Sequence, residues 1–286
     1  MGNCRVQAVT KLAQAEGVRK GLEATVAPKT VKDTLDAARV AFNYAIQHGW
    51  LSVNIFALVD RPKVERPDKR ALPREQARKL YEACRQAADQ RYDDWAPCGY
   101  MLGLALLTLK RVESELAALR WSDVGDAAIT INRVWDDKHH MTKPAGGPKT
   151  KRKTYRLAAQ AVELLELQRK AIQKMRWRAT ENGYEWQEND LVFPSRYGQP
   201  MPRQNIVKAL KRLCEVAQVP AITPHELRHT GASLLISMGV TRHQLMAMGG
   251  WSSMAVVEQT YGHLFPEDQA EAATVLGNLL APRKAV

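Results

Sequence analysis

Thr223-Pro-His-Glu-Leu-Arg-His-Thr-Gly-Ala232 crowds His225, Arg228 and His229 into one turn behind a proline. Proline suits the first turn of a helix, where its missing N–H is not needed. A helix starting at Pro224 and running to about Gly239 puts His225 and Arg228, three residues apart, on one face. Leu227, Leu234, Leu235 and Met238 recur at helical spacing on another face and would seat the element on a core. A proton-transferring imidazole beside a guanidinium fork suits a phosphate or a carboxylate. The same letters also satisfy H-E-x-x-H, which in zinc proteases puts two imidazoles on the metal with the Glu as base. A surface helix with merely solvated histidines is the third reading of this turn.

Working outward, the chain of 286 residues is longer than one typical domain. Hydrophobic residues at 45% and charged ones at 25% make it globular in composition. A formal charge of +12 attracts polyanions before any specific contact forms, so nucleic acid leads the partner classes. Cys4, Cys84, Cys98 and Cys214 are widely spaced without a C-x-x-C, which indicates neither a disulfide framework nor a structural zinc site and fits a reducing cytoplasm. No apolar run is long enough to span a bilayer, and the first residues do not read as a signal peptide.

Residues 6–26 predict a helix interrupted at Gly17, and Thr30 to Gln47 a stronger one that His48-Gly49 stops. Leu51 to Leu58 suggests a short helix or turn. Pro62 to Pro67 is polar, proline-bearing and without periodicity, which makes it the linker candidate. A helix follows Pro73, and the run from about Tyr100 to Thr108 is apolar nearly all round, as a buried helix is. Glu113 to Leu119 continues helically. Residues 128–134 alternate and are β-branched, which predicts a strand, and Lys149 to Leu157 predicts its partner across a glycine- and proline-bearing loop. Helices then follow over 159–178, 204–217, 224–239, 241–248 and 267–280. The expected fold is mainly α with a small antiparallel β-sheet (α+β), divided into a helical piece of residues 1–68 and a larger piece of residues 69–286.

Downstream of the opening turn stand Met248-Gly-Gly-Trp251-Ser-Ser253 and Val256-Val-Glu-Gln-Thr-Tyr261-Gly-His263. Taken with His225-Glu-Leu-Arg228-His-Thr, in that order and spacing, they resemble the C-terminal signature of the tyrosine recombinase (phage integrase) family. The resemblance extends upstream through Leu107-Thr-Leu-Lys-Arg111 to Leu119-Arg-Trp-Ser-Asp-Val124, similar to the family's first arginine box. Pro148-Lys149-Thr150 resembles its lysine site, and Leu191-Val-Phe-Pro194 the approach to the second box. Phe42-Asn-Tyr-Ala45, with Gly49 and Asn54, resembles the end of its core-binding domain.

The resemblance implies a site-specific recombinase or integrase that cleaves and rejoins double-stranded DNA at recombination sites through a covalent 3′-phosphotyrosine. Arg111 and Arg228 would hold the non-bridging oxygens. Lys149 would give a proton to the leaving oxygen, and His225 would take one from the nucleophile Tyr261. Trp251, where many members have His, would donate an indole hydrogen bond or pack. His229 would be structural. Neither ATP, a metal ion nor another cofactor is implied, because the phosphotyrosine retains the bond energy. The resemblance further implies a core-binding domain over 1–68, a catalytic domain over 69–286, and a tail helix that docks on a neighbouring protomer to give a homo-tetramer on DNA. Accessory DNA-bending proteins and a cytoplasmic, nucleoid-associated setting in a bacterial or phage-encoded system belong to the same expectation.

One departure stands out. The family's first box usually reads Gly-x-Arg-x-x-Glu, whereas here the sequence is Leu109-Lys-Arg111-Val-Glu-Ser-Glu115. Counting back from Arg120-Trp121 puts the expected arginine at Val112, so one residue is inserted and Arg111 is the nearest candidate. Either the helix accommodates the extra residue or the site is impaired. An impaired site leaves open a DNA-binding protein of the same fold without strand transfer, the second reading alongside the minor zinc-protease one.

Overall fold

The computed structural model describes residues 11–64, 70–87, 96–145 and 152–265. Contacts within the chain divide it into two units, Met1–Asp68 and Lys69–Val286. The first contains α1 (Leu12–Glu23) and α2 (Pro28–Gln47), the latter opening on the proline at its first turn. Gly17 does not interrupt α1. Ala15, Val31, Leu35 and Phe42 meet Ile55 and Phe56 from a short 3-10 turn at Ile55–Ala57, and Val59 beyond it. Phe42 and Phe56 pack edge to face at 4.8 Å. Asn54 ties this turn to α2 by donating to the Arg39 carbonyl and to Asn43.

The second unit is built around α4 (Ala96–Thr108). Its Met101, Leu102 and Leu104 have no exposure, because α3 (Arg74–Arg85), α5 (Ala159–Glu181), α6 (Arg203–Val216) and α7 (Pro224–Ser237) cover it. An all-apolar sequence suits a helix enclosed on every side. β1 (Val124–Gly125), β2 (Ala128–Ile131) and β5 (Lys153–Arg156) form an antiparallel sheet in that order, with Ile129 opposite Tyr155. The inward residues Ile129 and Ile131 are buried and their neighbours are not, as a half-covered strand requires.

The expected single strand over 128–134 is divided in two. After Asn132 the chain enters β3 (Arg133–Asp136), which pairs with β4 (Met141–Pro144) in a separate two-stranded ribbon. At the break the Asn132 side-chain amide donates to Asp123, and its carbonyl accepts from the Ala145 N–H, extending the β3–β4 pairing. β4 is exposed at every position and ends in proline, so no hydrophobic alternation announces it. His139 and His140 lie in the connecting turn, where His139 bonds Asp136 at 2.7 Å. α8 (Arg242–Gly249) and α9 (Met254–Tyr261) complete the second unit, and the core beneath them joins Leu109, Ala232, Ile236, Leu245, Val257 and Tyr261. Lys149, most of the segment Pro62 to Pro67 beyond Val64, and the tail helix expected over 267–280 lie outside the described residues.

Candidate active site

The opening turn folds as its sequence asks. Thr223 caps α7: its hydroxyl accepts from the Glu226 N–H at 3.2 Å, and the Glu226 carboxylate accepts from the Thr223 N–H at 2.7 Å. This reciprocal cap satisfies two donors that a helix start would leave unpaired. It also occupies Glu226, the residue a zinc protease would need as its base. Among the described residues, no three His, Cys, Asp or Glu side chains gather as a metal would require. His225 is exposed on the first turn, while Arg228 and His229 are 3% and 4% exposed.

The altered first box resolves into geometry. The chain leaves α4 through Leu109 in the left-handed region at φ 57°, then forms a π-helical turn over Val112–Leu116. The Leu116 N–H reaches back to the Arg111 carbonyl and the Ala117 N–H to that of Val112, at 3.0 and 3.1 Å. A π-turn accommodates one additional residue in a helical segment, which fits the insertion read from the sequence. The turn brings Glu115 inward to 2% exposure. There its carboxylate accepts from the Arg111 backbone N–H at 2.6 Å and from Arg111 Nη1 at 3.1 Å, and lies 3.9 Å from Arg228 Nη1. Glu115 is therefore a buried brace shared by two arginines.

Leu109's left-handed backbone has a partner as well: its carbonyl accepts from Arg228 Nη1 at 2.6 Å, while Arg228 Nη2 donates to the Gly249 carbonyl at 3.0 Å. Two of five guanidinium donors are so used, leaving others for a ligand. Burial, and then the neighbouring Arg111 charge, lower the Arg228 pKa to about 10. Arg111, Arg228 and His225 line one cavity of about 320 Å³ with Glu113, Ser114, Trp135, Asp137 and Arg203. Such a pair of guanidinium groups at a cavity wall can clamp a phosphate.

Tyr261 ends α9 at 2% exposure, and burial pushes its phenol well above the usual tyrosine range. Its oxygen lies 2.6 Å from His229 Nδ1, in the geometry of a strong hydrogen bond. The sequence reading gives proton transfer to His225 and a structural part to His229. The structure puts His229 on the nucleophile candidate, with His225 packed edge to face on His229 at 4.6 Å. The helical spacing carries a signal for this, since His229 follows His225 by four residues and shares its side of α7.

Trp251 receives the Arg228 guanidinium over its ring at 4.3 Å and meets the Tyr261 ring edge to face at 5.5 Å. Gly249 makes room: a Cβ there would lie 1.8 Å from the indole. Trp251 is thus a wall between arginine and tyrosine. Of the lysines near Lys149 in the sequence, Lys143 pairs with Asp136 and Lys153 donates to the Ala247 carbonyl at 3.1 Å. Sequence reasoning also passed over Lys110, which is completely buried beside Arg111.

Residues 70–268 match the model of the phage integrase family. An integrase from Streptomyces ambofaciens is 32% identical over 171 residues, covering 55% of this chain and 42% of that one. A XerC-like tyrosine recombinase from Caldanaerobacter subterraneus subsp. tengcongensis is 23% identical over 88% of this chain and 66% of its own length. The chain thus spans between about two fifths and two thirds of these curated relatives. In fold it resembles the Tn1549 transposon integrase solved in complex with transposon right end DNA. That match has a TM-score of 0.71 at 18% identity and covers 98% of this chain and 88% of that one. A lambda integrase dimer bound to a COC′ core site is similar with a TM-score of 0.58 at 17% identity, covering 91% and 82%.

Proposed function

This chain belongs to the phage integrase family, and from that premise we propose that it is a site-specific recombinase that cleaves and rejoins duplex DNA through a 3′-phosphotyrosine at Tyr261. The observation that carries the reading is the convergence of Arg111 and Arg228 on one buried carboxylate at the edge of one cavity, with Tyr261 packed directly behind Trp251. Arg111 and Arg228 hold the two non-bridging oxygens of the scissile phosphate and stabilise the charge that builds as the phosphorus becomes five-coordinate. Tyr261 attacks, and its proton passes to His229 Nδ1. His225, exposed on the cavity, is placed to hydrogen-bond the phosphate. Lys149 protonates the departing 5′ oxygen, and the reaction then reverses with a new 5′ hydroxyl. Tyr261 is not on the cavity wall, so α9 shifts to bring the phenol to the phosphorus.

The first unit serves as the core-binding domain, and the net charge of +12 supports phosphate contacts that position the duplex without reading it. Four protomers assemble on two sites through the C-terminal tail, assisted by DNA-bending proteins and within the cytoplasm of the host. Related integrases and recombinases have been solved with DNA, which supports DNA as the partner.

The test is a nicked duplex made from the DNA flanking the coding sequence, from which the cleaved end diffuses away. Wild-type protein is expected to form an adduct that survives denaturant, and Tyr261→Phe to form none while binding the same duplex within about twofold, since only an oxygen is lost. DNA binding without any adduct would replace this reading with that of a DNA-binding protein lacking strand transfer.

A further inference from the structure

Lys110 has no solvent exposure and is the largest such side chain described. Burying an ammonium is costly unless it is paired, and an apolar side chain of similar length would fill the same space. What Lys110 does there is specific. Its Nζ donates to the Met248 carbonyl at 2.6 Å and lies 3.2 Å from the centroid of the Tyr155 ring.

Met248 belongs to a helix end that side chains complete. Gly250, at φ 72°, terminates α8, and the N–H groups of Gly250 and Trp251 both return to the Met246 carbonyl. The next three carbonyls each receive a donor from a different part of the fold. Ala247 takes Lys153 from β5, Met248 takes Lys110, and Gly249 takes Arg228 from α7. A helix C-terminus carries partial negative charge, so three cations are well matched to it. The chain then turns directly into Trp251, the wall between Arg228 and Tyr261. On the other side of the same seam, Arg228 holds the carbonyl of Leu109, the residue before Lys110. Arg228 therefore bridges backbone on both sides, and Lys110 crosses the seam beside it.

We propose that Lys110 is a positioning residue for strand cleavage: by holding the Met248 carbonyl it fixes the turn that carries Trp251 against the segment that carries Arg111. Arg228 and Trp251 then keep their mutual placement while the phosphate binds and the Tyr261 phenol moves. Without Lys110, the seam at Met248 loses its donor, and Arg228 holds backbone on both sides while also serving the phosphate. The inference rests on the recombinase reading.

Lys110→Met tests it, since the thioether keeps an unbranched stem of similar volume and removes the donor. Single-turnover cleavage of the nicked duplex is followed well below both unfolding midpoints. The rate at saturating protein is expected to fall by about tenfold or more, with the half-saturating concentration changed less than about threefold. A loss of folded protein would lower the amplitude instead. A second duplex carries sulfur in place of the bridging 5′ oxygen, a leaving group that departs without a proton. The defect should persist on it; recovery would make Lys110 a proton donor and overturn the positioning role. If Lys110→Met does not fold, Lys110→Gln, whose amide is too short to reach Met248 from the same backbone, should show the same loss. Wild-type cleavage matched by either folded variant overturns the inference alone. Absence of a wild-type adduct overturns the recombinase reading and this inference with it.

Discussion

Glu115→Gln removes one negative charge from between two guanidinium groups while leaving the side chain's shape nearly unchanged. The carboxylate is 2% exposed and lies 3.9 Å from Arg228, which is itself 3% exposed. At that separation the attraction is about 4 kcal/mol for an effective dielectric near 20. Arg111 is 30% exposed, so solvent screens its pairing and only about 0.5–1 kcal/mol belongs to it. An amide oxygen still accepts from the Arg111 N–H, but the amide nitrogen cannot accept from the guanidinium, so a buried amide donor is left facing the part-exposed Arg111 donor. The expected loss is about 3–5 kcal/mol of unfolding free energy, in the range for breaking a buried ion pair from one side. Urea unfolding followed by circular dichroism measures it through a lower midpoint at unchanged slope. Cleavage should fall too, because the Arg228 charge, already lowered in pKa to about 10 by burial, loses a partner that favours it. A loss below about 1 kcal/mol, the size of an ordinary surface change, would refute the idea that Glu115 holds the clamp together.

The proton path gives a second expectation. His229→Ala should slow adduct formation at neutral pH by about 10²–10⁴-fold, the usual worth of a positioned general base. Raising the pH should recover part of that rate, and greater damage from His225→Ala at unchanged DNA affinity would return the role to His225. Lys110 predicts a pH dependence of stability. Burial lowers its pKa well below the ordinary lysine value, with Glu115 opposing. Between the folded value and the unfolded value near 10.4, the unfolded chain binds more protons, so unfolding free energy rises with pH. Wild-type stability should therefore gain on Lys110→Met as pH rises toward about 10, and parallel curves for the two proteins would contradict a depressed lysine.

Most of the helices and the cluster on α7 are legible because they rest on local rules: a Pro after a capping Thr, periodic leucines, and an all-apolar run for a helix that is enclosed. The β3–β4 ribbon was illegible for an equally local reason, since Met141–Pro144 is exposed throughout and held by backbone pairing that leaves no pattern in side-chain polarity. At Glu115 the sequence showed a carboxylate four residues after an arginine, the spacing of a solvated surface pair. Only the π-turn turns it inward.

The sequence by itself determined the family and the mainly helical fold, and it named six candidate residues, of which the structure describes five: Arg111, His225, Arg228, Trp251 and Tyr261. Their identities and order follow from the chemistry each must supply, and such chemistry is written one residue at a time. Only the tertiary structure decided how they lie relative to one another. It showed that a wide helical turn follows Arg111, that the phenol rests on His229, and that a buried lysine crosses the seam between Arg111 and Trp251. The last of these depends on approaches between segments more than a hundred residues apart, such as Lys110 to Met248 and Leu109 to Arg228. No spacing along the chain encodes them.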